Sequence, residues 1–273
     1  MTRLQETTVA DQVIAITREV GPRLDQCELT HFVRREIDVE KARKQHLAYE
    51  QCLTRLGLTV MSLPGEPELP DSVFVEDVAV VLDEIAVISR MGAESRRQEA
   101  DSVRAVIESF RPLGSIRAPA TLDGGDVLKV GRTLFVGRSS RTNAEGVDQL
   151  KRILGPYGYE VRSVATSGCL HLKTGCSYIG RNTILANPAL VDTNVFDGRD
   201  VIAVDKSESL AANTLAIGGV VLLPDCFPRT HSLLEKEGFP VSTLDVSELQ
   251  KTEAGLTCMS IIISTRGVQE KRS

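Results

Sequence analysis

Short apolar runs broken by brief polar or glycine turns recur along this chain. Residues 78–82 and 85–90 flank Asp83-Glu84 and read as two strands around a turn; residues 127–130 and 133–137 repeat the plan around Gly131-Arg132. A third hairpin is expected from 176–179 and 183–186, and a fourth from 214–217 and 220–223, where Gly218-Gly219 supplies a pair suited to positive φ. After most hairpins the pattern changes to a helix followed by a lone strand: 94–110 then 115–118, 143–154 then 160–164, and 230–237 then 240–244. The unit after the third hairpin is less regular, because 187–200 makes a poor helix. A fifth unit forms if a C-terminal strand, 258–264, pairs with an N-terminal strand near 13–16, followed by a helix over 39–56 and a strand over 59–62.

The hairpins start near residues 78, 127, 176, 214 and 258, spaced by roughly 40–50 residues, the range in which periodic units signal a propeller or array. The inferred fold class is α/β: a pseudo-fivefold propeller of ββαβ units, closed by pairing of the N- and C-terminal strands, with residues 1–273 as one catalytic domain. Closure removes two open sheet edges, and radial packing leaves a central cavity rimmed by strand ends and loops. Polar residues far apart in sequence can converge there.

The composition is that of an ordinary globular protein, with 42% hydrophobic and 25% charged residues, and 273 residues bury a substantial core without help from metal or disulfides. The formal net charge of −5 argues against nonspecific attraction to nucleic acid or anionic membrane. No apolar stretch approaches the roughly 18–20 residues that span a bilayer, and the N-terminus lacks a signal peptide's apolar region, so a cytoplasmic location is expected. The 6 cysteines have no CxxC pair and only 4 histidines accompany them, which fits reduced thiols rather than a zinc cluster or a disulfide framework.

Against that background three residues stand out. Cys258 lies in the β-prone run 256–263, His171 in Leu170-His171-Leu172-Lys173, and Asp123 in Leu122-Asp123-Gly124-Gly125-Asp126. A sulfur to attack, an imidazole to move protons and an anion to orient it are what a thiol nucleophile requires. Before the first hairpin, Asp71, Glu76 and Asp77 stand among apolar residues; unpaired they would be costly to bury, so they call for cationic partners, either a ligand or Arg96 or Arg97. The loops at 90–97 and 139–146 place Arg96 and Arg141 between a hairpin and a helix, within reach of the cavity and able to grip a carboxylate. Acids for a cation together with arginines for an anion describe a zwitterionic, arginine-like ligand. Phe74 either lines its aliphatic stem or packs in the core, Lys173 is either a supporting or an exposed residue, and Met259 reads as core.

The runs 71–77, 92–97, 122–126, 141–146, 170–175, 211–213 and 257–260, in this order, resemble the dimethylarginine dimethylaminohydrolase family of the guanidine-modifying (pentein) superfamily. That family's five-bladed α/β propeller agrees with the repeat count. The resemblance implies that Cys258 is the nucleophile, His171 the proton shuttle and Asp123 its orienting anion. It also implies that Glu76 and Asp77 face the guanidinium, that Asp71 lies near the α-amino end, and that Arg96 and Arg141 hold the α-carboxylate. Leu29, in a lid loop, and Thr252 match positions that contact substrate through backbone carbonyls. The implied activity is hydrolysis of Nω-methylated arginine to citrulline through a covalent cysteine intermediate. No cofactor or metal is expected; the partner is a small-molecule substrate, and the chain is a monomer or homodimer. Two alternatives remain open at this point: an arginine deiminase or amidinotransferase acting on another guanidine, and a noncatalytic five-repeat binding protein, which would have no need of the cysteine, histidine and acid set.

Overall fold

The computed structural model describes residues 12–265. Five three-stranded sheets surround a common axis, and each is an antiparallel pair extended on its other side by a parallel strand. In chain order the strands are β1 (Val13–Arg18), β2 (Thr59–Leu63), β3 (Ala79–Val81), β4 (Ala86–Ile88), β5 (Leu113–Ser115), β6 (Val127–Val130), β7 (Thr133–Arg138) and β8 (Glu160–Ala165). They continue as β9 (Cys176–Gly180), β10 (Thr183–Ala186), β11 (Asp200–Ala203), β12 (Leu215–Ile217), β13 (Val220–Pro224), β14 (Val241–Leu244) and β15 (Ile261–Ser264). The blades are β3-β4-β5, β6-β7-β8, β9-β10-β11, β12-β13-β14 and β15-β1-β2. The last closes the ring: Val13 pairs with Ser264 and Ile16 with Ile261, so the two ends of the chain share one sheet.

The helices follow the hydrophobic periodicity. Helix α1 (Val39–Arg55) begins where the Asp38 side chain accepts from the Lys41 amide at 2.9 Å, and it buries Ala42, Tyr49 and Leu53 on one face. It stops at Gly57, whose φ of +90° lets the chain reverse while Leu58 N bonds Leu53 O. Helix α2 (Ala100–Ile107) is shorter than the pattern suggested, since residues 94–99 form a 3-10 segment that brings Arg96 inward. Helix α3 (Ala144–Leu154) is capped by Asn143, whose side chain accepts from the Gly146 amide at 2.9 Å. Short helices α4 (Leu172–Gly175) and α6 (Ser247–Gln250) bracket α5 (Pro228–Lys236) in the chain. Residues 187–200 form a 3-10 turn at Thr193–Phe196 and no α-helix, in keeping with their weak pattern.

The first strands of all five blades ring one axial cavity of about 380 Å³, reached by residues of β3, β6, β9, β12 and β15. The apolar core lies between blades rather than on the axis, in clusters such as the one joining Leu24, Tyr49, Leu53, Leu222, Leu256 and Met259. Among the described residues no helix is long and apolar enough to cross a membrane.

Candidate active site

Cys258 does not begin the closing strand. It sits in a 3-10 turn, Thr257–Met259, just before β15. The run is β-prone, but side-chain and backbone bonds hold Thr257 and Cys258 out of the ladder. Asn213 Oδ1 accepts from Thr257 N at 3.2 Å, Thr257 Oγ1 donates to Glu76 at 2.7 Å, and Gly255 N donates to Cys258 Sγ at 3.4 Å. Met259, next along, is fully buried in the core and anchors the turn.

His171 caps α4 from the β-region, and its ring lies between two carboxylates. Nε2 is 3.1 Å from Asp123 Oδ2 and Nδ1 is 3.7 Å from Asp77 Oδ1. Asp123 is held in turn by the Gly92 amide at 2.8 Å, and its own amide donates to Thr142 Oγ1. Asp126 receives the Leu172 amide at 2.9 Å and the Ser139 hydroxyl at 2.6 Å, which fixes the start of α4 and so the backbone beside His171. Gly125 explains the glycine pair in this motif. A Cβ there would lie 2.6 Å from both Asp77 Oδ1 and His171 Nδ1, closer than nonbonded atoms allow. Its amide also donates to Asp77 Oδ1 at 3.0 Å.

The charges before the first hairpin find their partners in the fold. Asp77 pairs with Arg96 at 2.7 Å, Glu76 with Lys173 at 2.5 Å, and Asp71 accepts from the Glu28 amide at 3.0 Å. Arg96 is buried and bonds through all three guanidinium nitrogens, with Glu99 receiving Nε and Nη2 and the Phe74 carbonyl accepting from Nη2 at 3.3 Å. Arg141 differs: Nη2 donates to Thr30 Oγ1 at 3.3 Å, while Nη1 is buried without a hydrogen-bond partner among the described residues.

One small enclosed space, with about 20 Å³ of room, joins these groups. Cys258, His171, Asp71, Phe74, Glu76, Asp77, Arg96, Arg141 and Thr252 all line it. Asp123 stands behind His171 and is fully buried. The side chain of Leu29 packs against the core cluster that contains Leu24 and Tyr49, while its neighbour Glu28 lines the space. Sequence reasoning left unassigned Lys173, Asn213, Asp126 and Glu253. Lys173 had a signal in its place beside His171, Asp126 in the doubled acid of its motif and Asn213 in the run 211–213; Glu253 carried none.

Burial shapes the titration of the site. It works against an imidazolium at His171, but the carboxylates of Asp77, Asp123 and Asp126 outweigh it and raise this group to about 9. Burial likewise resists the charge of Asp77, yet His171 and Arg96 hold its carboxyl at about 2. The Cys258 thiol is pushed up to about 12 by burial and then by the negative charges of Glu76 and Asp77. Glu76 is raised by burial against the opposing pull of Lys173. The resting site is therefore a neutral thiol beside an imidazolium. Oxygen and nitrogen atoms of Asp77, Asp123 and His171 lie within 4.8 Å of one another, a spacing that suits a cation, but the Arg96 guanidinium already supplies one to Asp77.

A closed ring of five α/β blades with a thiol, an imidazole and paired acids at one end of its axis defines a guanidine-modifying propeller enzyme. Comparison with known proteins narrows the class. The model of the eukaryotic N,N dimethylarginine dimethylhydrolase family matches residues 28–259. N(G),N(G)-dimethylarginine dimethylaminohydrolase of Pseudomonas aeruginosa is 37% identical over 226 residues, covering 82% of this chain and 89% of that protein. The protein of that name from Streptomyces coelicolor is 36% identical over 249 residues, covering 90% and 95%. A solved dimethylarginine dimethylaminohydrolase adduct with S-methyl-L-thiocitrulline superposes with a TM-score of 0.88 at 35% identity, over 92% of this chain and 99% of that one. The N-terminal domain of a cyanobacterial arginine dihydrolase reaches a TM-score of 0.84 at 19% identity, a likeness of fold alone. The chain belongs to the dimethylarginine dimethylaminohydrolase family.

Proposed function

We propose that this chain, acting as a single catalytic domain, hydrolyses Nω-methylated arginine to citrulline and methylamine or dimethylamine. The observation that carries the reading is the meeting of Cys258, His171, Glu76, Asp77 and Arg141 around one enclosed cavity. Glu76 and Asp77 face the guanidinium, and the free Nη1 of Arg141 receives the α-carboxylate. Asp71 lies at the amino end. Arg96 adds its charge while it holds Asp77. The names of the relatives, and a P. aeruginosa structure in complex with citrulline, support the same substrate class.

The chemistry follows from the charges. A guanidinium carbon is a weak electrophile because its charge is delocalised, and the two acids localise that charge. The guanidinium in turn lowers the thiol's pKa, giving a thiolate where it is needed. Cys258 Sγ bonds the guanidinium carbon, His171 gives its proton to the departing amine nitrogen as the C–N bond breaks, and an S-alkylthiouronium remains. Neutral His171 then takes a proton from water, whose oxygen bonds the same carbon. The C–S bond breaks as the adduct's hydroxyl proton passes to solvent, and citrulline leaves with the thiolate and the imidazolium restored.

Citrulline release from arginine, monomethylarginine, asymmetric dimethylarginine and agmatine tests the assignment. Turnover of the methylated arginines with liberation of the alkylamine is expected; ammonia from unmethylated arginine as the preferred reaction would instead indicate a deiminase. The pH dependence gives a second check. In the free protein the first proton leaves His171 at about 9 and the second leaves Cys258 at about 12, and the reacting form has lost one proton in all. Hence kcat/KM rises with pH up to about 9 and then levels off. For kcat the rise ends at lower pH, because the bound cation stabilises the thiolate. A kcat/KM already flat from neutral pH to about 9 would contradict this ordering.

A further inference from the structure

The space around Cys258 has room for about one water, so a wall segment that yields would ease the entry of a substrate. The exposed loop 28–36 contributes Glu28 to that wall, and besides the bonds from Arg34 to the Asp25 and Cys27 carbonyls and from Lys251 to the Glu36 carbonyl it is tied down at one unusual point. Glu253 Oε1 accepts from three consecutive loop amides, Thr30, His31 and Phe32, at 3.0, 2.5 and 2.5 Å. Successive amides converging on one anionic oxygen make a compact nest. Glu253 itself has a φ of +64°, a conformation that non-glycine residues seldom adopt, so its side chain is held there at a local expense. It lines the same cavity as Cys258, and the loop residue it grips, Thr30, also accepts from Arg141 Nη2.

We propose that Glu253 is the catch of this loop: it fastens residues 30–32 over the site and, through Thr30, sets the Arg141 guanidinium toward the substrate's carboxylate. The second half of this assignment rests on the substrate reading above; the first does not. Glu253 is a positioning residue, since it acts through the loop and through Arg141. Without the catch the open loop competes with the closed one, and the apparent affinity falls in proportion to the closed fraction. Discrimination between a methylated arginine and its decarboxylated counterpart falls as well, because only the former uses Arg141.

The test compares wild type with E253Q, E253A and E253G. Glycine adopts the φ of +64° without strain, so E253G removes the catch without loading the turn and keeps the comparison valid if E253A folds poorly. Limited trypsin digestion of the unliganded protein, followed by mass spectrometry, reports cleavage after the loop residues Arg34 and Arg35. Expected are cleavage about tenfold faster in E253G, a KM for monomethylarginine about tenfold higher with kcat changed less than about twofold, and a fall in preference over Nω-methylagmatine, the scale of losing a charge-assisted hydrogen bond. E253Q keeps one acceptor oxygen and is expected to lie between the two. Equal cleavage rates in E253G and wild type would overturn the catch. Faster cleavage with KM and preference unchanged would overturn the link to Arg141. Absence of any turnover of methylated arginine by wild type would refute the substrate reading and leave the digestion result standing.

Discussion

Replacing Cys258 with serine lowers citrulline release by ~10⁴-fold or more, the scale on which losing a covalent nucleophile is felt. The site is the reason for so large an effect. Burial with Glu76 and Asp77 already pushes the thiol up to about 12, and only the arriving guanidinium brings a thiolate within reach. A serine hydroxyl starts several pH units higher and the same cation cannot bring it down far enough. The variant is expected to keep its fold, since Met259 and the Thr257 bonds, rather than the sulfur, anchor the turn. Acid-quenched wild type examined by mass spectrometry should carry an added mass on the Cys258 peptide, and the serine variant none. A serine variant retaining a tenth of the rate would end the covalent mechanism.

Removing the Arg96 side chain has the next largest consequence, on stability as well as on rate. Its guanidinium is buried, joins Asp77 at 2.7 Å and Glu99 at 2.8 Å, and keeps its charge because these acids outweigh the burial that opposes it. Arg96→Ala leaves the buried carboxylates of Asp77 and Glu99 without the guanidinium they share, a change that costs ~3–5 kcal/mol. For a chain of this size that is a fall in Tm of about 10 °C. Activity falls too, because Asp77 loses the group that fixes it against His171 and the Gly125 amide. Arg96→Lys supplies a point charge in place of the planar fork and should lie between the two proteins. Thermal unfolding with citrulline release on the same samples checks both effects; an alanine variant melting within about 2 °C of wild type would show the cluster to be incidental.

The hairpins of the first four blades were legible because their strands alternate with turns of fixed chemistry. Gly218 and Gly219 both take positive φ, as a tight turn between β12 and β13 demands. Closure through β1 and β15 was legible from the repeat itself, since four units leave two unpaired strands at opposite ends of the chain. The third blade's missing helix was legible in the weak pattern of residues 187–200, whereas the 3-10 opening of α2 was harder, because one turn of helix more or less is decided by what the segment packs against.

By itself the sequence determined the chemical inventory: a thiol, an imidazole, isolated acids and two loop arginines at the ends of regular repeats, which is enough to state the reaction class. The tertiary structure decided who partners whom. It gave Asp77 to Arg96, Glu76 to Lys173 and the amides of residues 30–32 to Glu253, and it drew Cys258 out of the strand into a turn. Residue types and local periodicity are properties of short windows of chain, whereas ion pairs and hydrogen bonds such as that from Thr30 to Glu253, 223 positions away, exist only once the ring has closed.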